Sequence, residues 1–318
     1  MYTKKMQNKT KFAGTYYKIQ KPKSTYKLDL NIELAELIEY KYNEKGELVH
    51  KKTKKKCSKL SDTDYELIGF YVGKYIETFL TSILKMKTLY LPSYSGNFEI
   101  REKSIPQCKI LTSENFSKSP KCILLIQGTG SVRLGQWARS LCINENLDLG
   151  SMIPYVRKAK DLNYSVVIFN PNERYDIDNN KLEILEFETM ENHCLYVYGN
   201  IIKTNKNIKE IYIVAHSMGG VCAMTILENN LEDLVSGKIK KIAFTDSVHE
   251  KSENLGKIGE AKFIQISRNY VCSDKPIGTF LKSYKESNGG TNCYSSGHKK
   301  HEYTSGTAIG DIFKFFNR

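Results

Sequence analysis

The sequence predicts an α/β domain with a mostly parallel central sheet and helices on both faces, and three observations support this. From residue 122 onward, short apolar runs rich in β-branched residues alternate with segments of helical period. The runs at 122–126, 165–169, 210–215, 241–245 and 261–266 read as strands, and 152–162, 187–203, 218–229 and one shorter segment read as helices. Because the runs are nearly continuous in apolar residues, the sheet is expected to be covered on both sides. Polar clusters follow the runs at their carboxyl ends, where such sheets bind ligands: Gln127-Gly128-Thr129-Gly130, Asn170-Pro171-Asn172-Glu173, His216-Ser217 and Asp246-Ser247. The third observation is Ile211-Tyr212-Ile213-Val214-Ala215-His216-Ser217-Met218-Gly219-Gly220. A serine between a strand end and a helix start needs small residues two places to either side, and Ala215 and Gly219 supply them. This is the pattern of a nucleophile elbow, and it narrows the expectation to an α/β-hydrolase-like fold with Ser217 as nucleophile.

The chain has 318 residues and 40% apolar content, enough for one full core with a surplus. The surplus is N-terminal. Residues 1–59 hold 16 lysines against 6 acids, a net of +10 out of +13, which separates a basic, flexible region at 1–59 from a nearly balanced domain at 60–318. The cluster Lys51-Lys52-Thr53-Lys54-Lys55-Lys56, with Lys59 close behind, reads as a nuclear-import signal, a weak polyanion contact or a solvated loop. Residues 30–39 form one short amphipathic stretch. No apolar run is long enough for a membrane span or a signal-peptide core, so an intracellular protein, nuclear or cytoplasmic, is expected. Eight scattered cysteines without close pairs read as reduced core thiols, and neither a metal site nor a cofactor is expected.

Before the first strand, Ser61-Asp62-Thr63-Asp64 offers capping side chains to an amphipathic helix over 65–84. Segments 176–185 and 287–300, rich in Asn, Gly and Ser, are expected to be mobile loops.

A serine hydroxyl needs a base, and the base needs an acid to orient it. In the hydrolase order the acid follows the serine and the histidine comes last. By position the acid is Asp246 or Asp274, with the strand end before Asp246 the better defined. The base is expected to be His301, ahead of His298, while His249 is placed as a residue flanking the pocket. His216 is expected to point away from the site. The amides of Gly128, Thr129 and Met218 would form an oxyanion hole, a device worth ~3–4 kcal/mol per donor. Gly130 and Arg133 are placed at the pocket mouth, with Arg133 suited to an acidic substrate. Trp137 is expected to anchor the core, with Arg139 beside it at the surface.

The stretch Gln127 to Arg139, followed by Ile143-Asn144-Glu145, resembles the signature of the Argonaute-binding-protein (Arb-two) domain family. Asn170-Pro171-Asn172-Glu173, Ala215 to Gly220, Thr245-Asp246-Ser247-Val248-His249, and His301-Glu302 with Ile312-Phe313-Lys314-Phe315-Phe316 resemble it in the same order, over roughly residues 60–318. The resemblance implies an α/β-hydrolase-like fold, with the family's serine at Ser217 and its late histidine at His301. It also implies nuclear roles in small-RNA silencing, chromatin or splicing through protein partners such as Argonaute. Where relatives often read Ser-Ser-Glu-Pro-Leu-Asp, this chain has Cys272-Ser273-Asp274-Lys275-Pro276-Ile277, so the acid after that strand has moved or been lost. That strengthens Asp246 as the acid or weakens catalysis. Two functions are therefore expected, a nuclear adaptor on a hydrolase fold and, alternatively, an active esterase or acyl hydrolase using Ser217, Asp246 and His301. A third, nonspecific nucleic-acid binding through the lysine-rich N-terminus, would be salt-sensitive.

Overall fold

The computed structural model describes residues 39–58, 60–176, 182–282 and 289–318. The alternating runs become an eight-stranded sheet: β1 Lys87–Leu91, β2 Cys108–Thr112, β3 Lys121–Ile126, β4 Ser165–Ile168, β5 Glu210–His216, β6 Ile239–Thr245, β7 Ser267–Val271 and β8 Cys293–Ser295. In space they run β8-β7-β6-β5-β3-β4-β2-β1. All neighbours are parallel except that β2 is antiparallel to both β1 and β4. This is the strand order of the α/β-hydrolase fold, with β5 and β3 side by side at its centre.

Both faces of the sheet are buried, so successive strand residues supply two different cores. Ile123 and Leu125 of β3 and Tyr212 and Val214 of β5 join one core. Cys122, Leu124 and Ile126, with Ile211, Ile213 and Ala215, join the other. The first face is covered by helices α1 Asp62–Thr78, α2 Ile153–Asp161 and α6 Thr304–Phe316, and the second by α3 Met190–Val197, α4 Gly219–Asn229 and α5 Gly256–Ile266. Ser61 caps α1 by accepting from the Asp64 amide at 3.1 Å, and the helix passes into a π-turn at Phe79–Ile83. None of the described helices is long and apolar enough to cross a membrane. The eight cysteines are all free thiols, and all but Cys272 are buried.

Residues 261–266, expected as a strand, are instead the second half of α5, and the strand follows at β7. Phe263 and Ile266 are buried three residues apart, the spacing of a helix face, which the Ala-Lys-Phe-Ile-Gln-Ile string disguises as alternation. The strand is disguised in turn by two polar residues, the buried Asn269 and Arg268, whose guanidinium lies 4.3 Å from the Phe315 ring.

Part of the basic N-terminal region packs on the domain. Tyr40–Tyr42 pairs with Leu48–His50 in a hairpin; Leu48 is fully buried, the Tyr42 hydroxyl donates to Cys142 O at 2.9 Å, and the Leu147 amide donates to Gly46 O. The packed unit thus begins upstream of the boundary that composition suggests. The lysine cluster follows the hairpin, with residues 52–56 exposed. Residues 1–38, including most of the 30–39 stretch, and Lys59 lie outside the described residues, as do 177–181 and 283–288 of the two expected loops.

Candidate active site

At the end of β5 the chain must reverse from strand to helix within one residue, and Ser217 does so with φ +53°, a left-handed conformation that is costly for a side chain other than glycine. The Ser217 amide donates to Thr245 O at 3.2 Å, which ties the turn to the end of β6. The two small neighbours are needed where α4 starts against the sheet. Ala215 is fully buried, and a Cβ on Gly219 would lie 2.6 Å from the carbonyl oxygens of both Ile126 and Gln127. The elbow is pressed against the end of β3, and Ser217 lines a cavity there.

Asp246 follows β6, also with positive φ (+46°). Its carboxylate is held by three donors: the His301 Nδ1 to Oδ2 at 2.7 Å, the Cys272 thiol to Oδ2 at 2.9 Å and the Cys272 amide to Oδ1 at 3.1 Å. Burial alone would raise its pKa, but the hydrogen bonds from His301 and Cys272 outweigh it and hold the carboxyl below its usual range. Burial and the neighbouring carboxylate push the Cys272 thiol up to about 12, so it stays a protonated donor. With Nδ1–H committed to Asp246, His301 presents Nε2 as its basic atom. His301 and Ser217 are walls of one cavity of about 260 Å³. Among the described residues, Ser217 Oγ makes no hydrogen bond to the His301 ring.

Gly128 and Thr129 line the same cavity. The Gly128 carbonyl accepts from Asn172 Nδ2 at 2.8 Å, and Asn172 also reaches Val132 O at 3.3 Å. Because the peptide is planar and trans, fixing the Gly128 carbonyl on Asn172 turns the Thr129 N–H to the opposite side. Asn172 thereby sets the loop after β3, a role within Asn170-Pro171-Asn172-Glu173 that sequence spacing did not assign. A Cβ on Gly128 would lie 2.9 Å from Ser217 Cβ, so only glycine allows this approach.

His216 does not point away. Its ring lies 4.6 Å from that of His301 at 34° and lines the cavity, with Nδ1 donating to Thr245 O at 2.8 Å. Burial, helped by His301, lowers its pKa to about 4, so it stays neutral and adds no charge against a protonated His301. The fully buried Trp137 packs edge-on to Tyr155 and also lines the cavity.

The other expected residues lie elsewhere. Asp274 is exposed and pairs with Lys299 at 3.1 Å, leaving Asp246 as the partner of His301. His298 stacks on Tyr303 at 3.8 Å. His249 turns to the opposite face of the sheet, between Ser247 Oγ (2.8 Å) and Thr291 Oγ1 (2.9 Å), and does not line the cavity. Gly130 and Arg133 line a neighbouring cleft that shares Ser131, Val132 and Arg139 with the Ser217 cavity.

Comparison with known proteins identifies the family. The model of the Arb2 domain matches residues 18–277. A Dictyostelium discoideum protein named cotranscriptional regulator ARB2A homolog is 34% identical over 312 residues, covering 87% of this chain and 77% of its own. The Homo sapiens cotranscriptional regulator ARB2A is 28% identical over 345 residues, covering 89% and 80%. Among solved structures, the histone deacetylase Clr3 aligns with 81% of this chain and 40% of its own at 15% identity and a TM-score of 0.46. The family match begins at residue 18 and ends at 277, so it takes in the N-terminal hairpin and strands β1 to β7, while β8, His301 and α6 follow it. The chain belongs to the Arb2 domain family.

Proposed function

We propose that this Arb2-domain protein is a serine hydrolase that cleaves an acyl ester. Ser217 Oγ attacks the acyl carbonyl while His301 Nε2 takes its proton, and His301 then gives that proton to the departing alcohol. Water attacks the acyl-enzyme with His301 again as base, releasing the acid and restoring the serine. Asp246 holds the imidazole in the required tautomer and stabilises its cation. The amides of Met218 and of the Gly128-Thr129 segment face the developing oxyanion. The supporting observation is the Asp246–His301 contact of 2.7 Å, in which the acid is itself fixed from two sides by Cys272. The contact between Ser217 and His301 closes when substrate fills the cavity, as catalytic hydrogen bonds commonly do.

The test is treatment of the purified chain with a fluorophosphonate, followed by intact-mass measurement. One adduct is expected on the wild type and none on Ser217→Ala. A folded wild type that takes up no adduct contradicts the reading.

The relatives' names support a second reading, in which the hydrolase fold is a platform for cotranscriptional regulation through protein contacts. In that case the partners are nuclear, among Argonaute, chromatin or splicing factors. The exposed lysines at 52–56 would add only a salt-sensitive contact with nucleic acid. Recovery of the same nuclear partners by wild type and Ser217→Ala, without adduct formation in either, favours this reading.

A further inference from the structure

Next to the Ser217 cavity, and sharing Ser131, Val132 and Arg139 with it, lies a cleft of about 340 Å³ between α1 and the loop after β3. Five basic and three carboxylate side chains line it. The carboxylates are engaged: Glu66 forks onto Arg139 at 2.7 and 2.8 Å, Glu77 meets Lys109 at 2.8 Å, and Glu173 accepts from Asn170. Arg133 and Lys74 have no carboxylate partner among the described residues. Both lie over the Phe70 ring, with Arg133 Cζ at 5.3 Å and Lys74 Nζ at 4.6 Å from its centre, so two like charges share one aromatic ring at the cleft wall.

The sequence makes room for this. Gly69 and Gly73, one turn apart in α1, are buried against the two arginines: a Cβ on Gly73 would meet Arg133 Cδ at 2.6 Å, and one on Gly69 would meet Arg139 Cδ at 2.9 Å. Glycine weakens a helix interior, and here it occurs twice where an arginine stem crosses the helix. Arg139 is paired with Glu66, whereas Arg133 is held in place without a direct ion pair and feels Glu66 only through space.

We propose that this cleft is the anion-binding half of the substrate site: the acyl substrate carries a compact oxyanion, a carboxylate or a phosphate, at the end remote from the scissile carbonyl, held by Arg133 and Lys74. A guanidinium offers such a group a forked pair of donors, and the shared cavity wall joins it to Ser217. This assignment of substrate class rests on the hydrolase reading.

The test compares p-nitrophenyl hemisuccinate with p-nitrophenyl butyrate, which differ in having a carboxylate or a methyl at the far end of a four-carbon acyl chain. The wild type is expected to favour the hemisuccinate by at least tenfold in kcat/KM. That preference should fall about tenfold in Arg133→Gln, recover partly in Arg133→Lys, and shrink in Gly73→Ala, which dislodges the arginine, and in high salt. No preference in the wild type, or a preference intact in both Arg133→Gln and Lys74→Gln, overturns the proposal while leaving hydrolysis standing. If neither ester is turned over, the hydrolase reading fails on its own, and calorimetric titration of the full chain with succinate and with inorganic phosphate decides the rest. Saturable binding of either anion that is lost in Arg133→Gln supports the site and identifies which oxyanion it takes, and no saturable binding to the wild type overturns it.

Discussion

Two histidines depend on the end of the same strand and have opposite surroundings. Asp246 and Ser247 are adjacent, yet Asp246 meets His301 above the sheet edge and Ser247 meets His249 within the second core. The His301 side chain is 44% exposed, faces a cavity and has a carboxylate on Nδ1. His249 is buried, stacks on Phe244 at 4.1 Å, and has a hydroxyl on each nitrogen. Burial pushes its pKa down to about 4. Serine, histidine and threonine in a row resemble a relay, but without a carboxylate to stabilise a cation, or a cavity to admit a substrate, they form a satisfied core contact. Residue type at a strand end is therefore a weaker guide to chemistry than which face of the sheet the side chain takes.

The largest effect should come from breaking the exposed pair. Asp246→Asn keeps the shape but loses the charge that stabilises the imidazolium, and the rate of fluorophosphonate modification should drop by about 10⁴-fold. A drop below tenfold would show that the pair does not drive the serine.

His249→Ala should act on stability, lowering it by about 3 kcal/mol at pH 7 through an emptied space and orphaned hydroxyls, as read by urea unfolding. Its pH dependence has a definite sign. Below about pH 6.5 the unfolded chain binds protons that the buried native rings exclude, so stability is full at neutral pH and is lost as pH falls toward 4. His216, at about 4, and His193, lowered by burial to about 3, act in the same direction. A His249→Ala protein should therefore lose less stability than wild type between pH 7 and 5, and an equal loss would remove His249 from the account.

Gly220→Ala probes how closely α4 approaches the end of β6, because the new Cβ would sit 1.7 Å from Ser247 Oγ. A loss of about 2 kcal/mol in unfolding free energy is expected. The smallest change is Cys272→Ala, which removes one of three donors to Asp246 and should slow modification by roughly tenfold, about 1.4 kcal/mol. No slowing would mean that the thiol only packs there.

Much of this was legible in the sequence, and the gaps share physical causes. The elbow could be read because Ser217 needs Ala215 and Gly219 in fixed places, and the parallel core could be read because strands buried on both faces carry unbroken apolar runs. The antiparallel pair β1 and β2 at one side of the sheet carried no expectation, since Lys87 and Thr88 open β1 and Lys109 interrupts β2, leaving short apolar patterns. The segment at 261–266 was misread because six residues do not separate a period of two from one of 3.6. His216 could not be placed from the chain alone, because its ring direction depends on Thr245 of the neighbouring strand. Cys272 stands out in the sequence as a departure from the family pattern, but its role as a donor to Asp246 belongs to the three-dimensional pairing of β6 and β7.

The most direct measurement follows fluorophosphonate modification of His301→Ala and His249→Ala beside the wild type, with folding of each checked by circular dichroism. A working Ser217–His301–Asp246 relay predicts loss of about four orders of magnitude in rate for the first and a rate within about threefold of wild type for the second. Equal losses in both, or a wild type that is not modified at all, would contradict it.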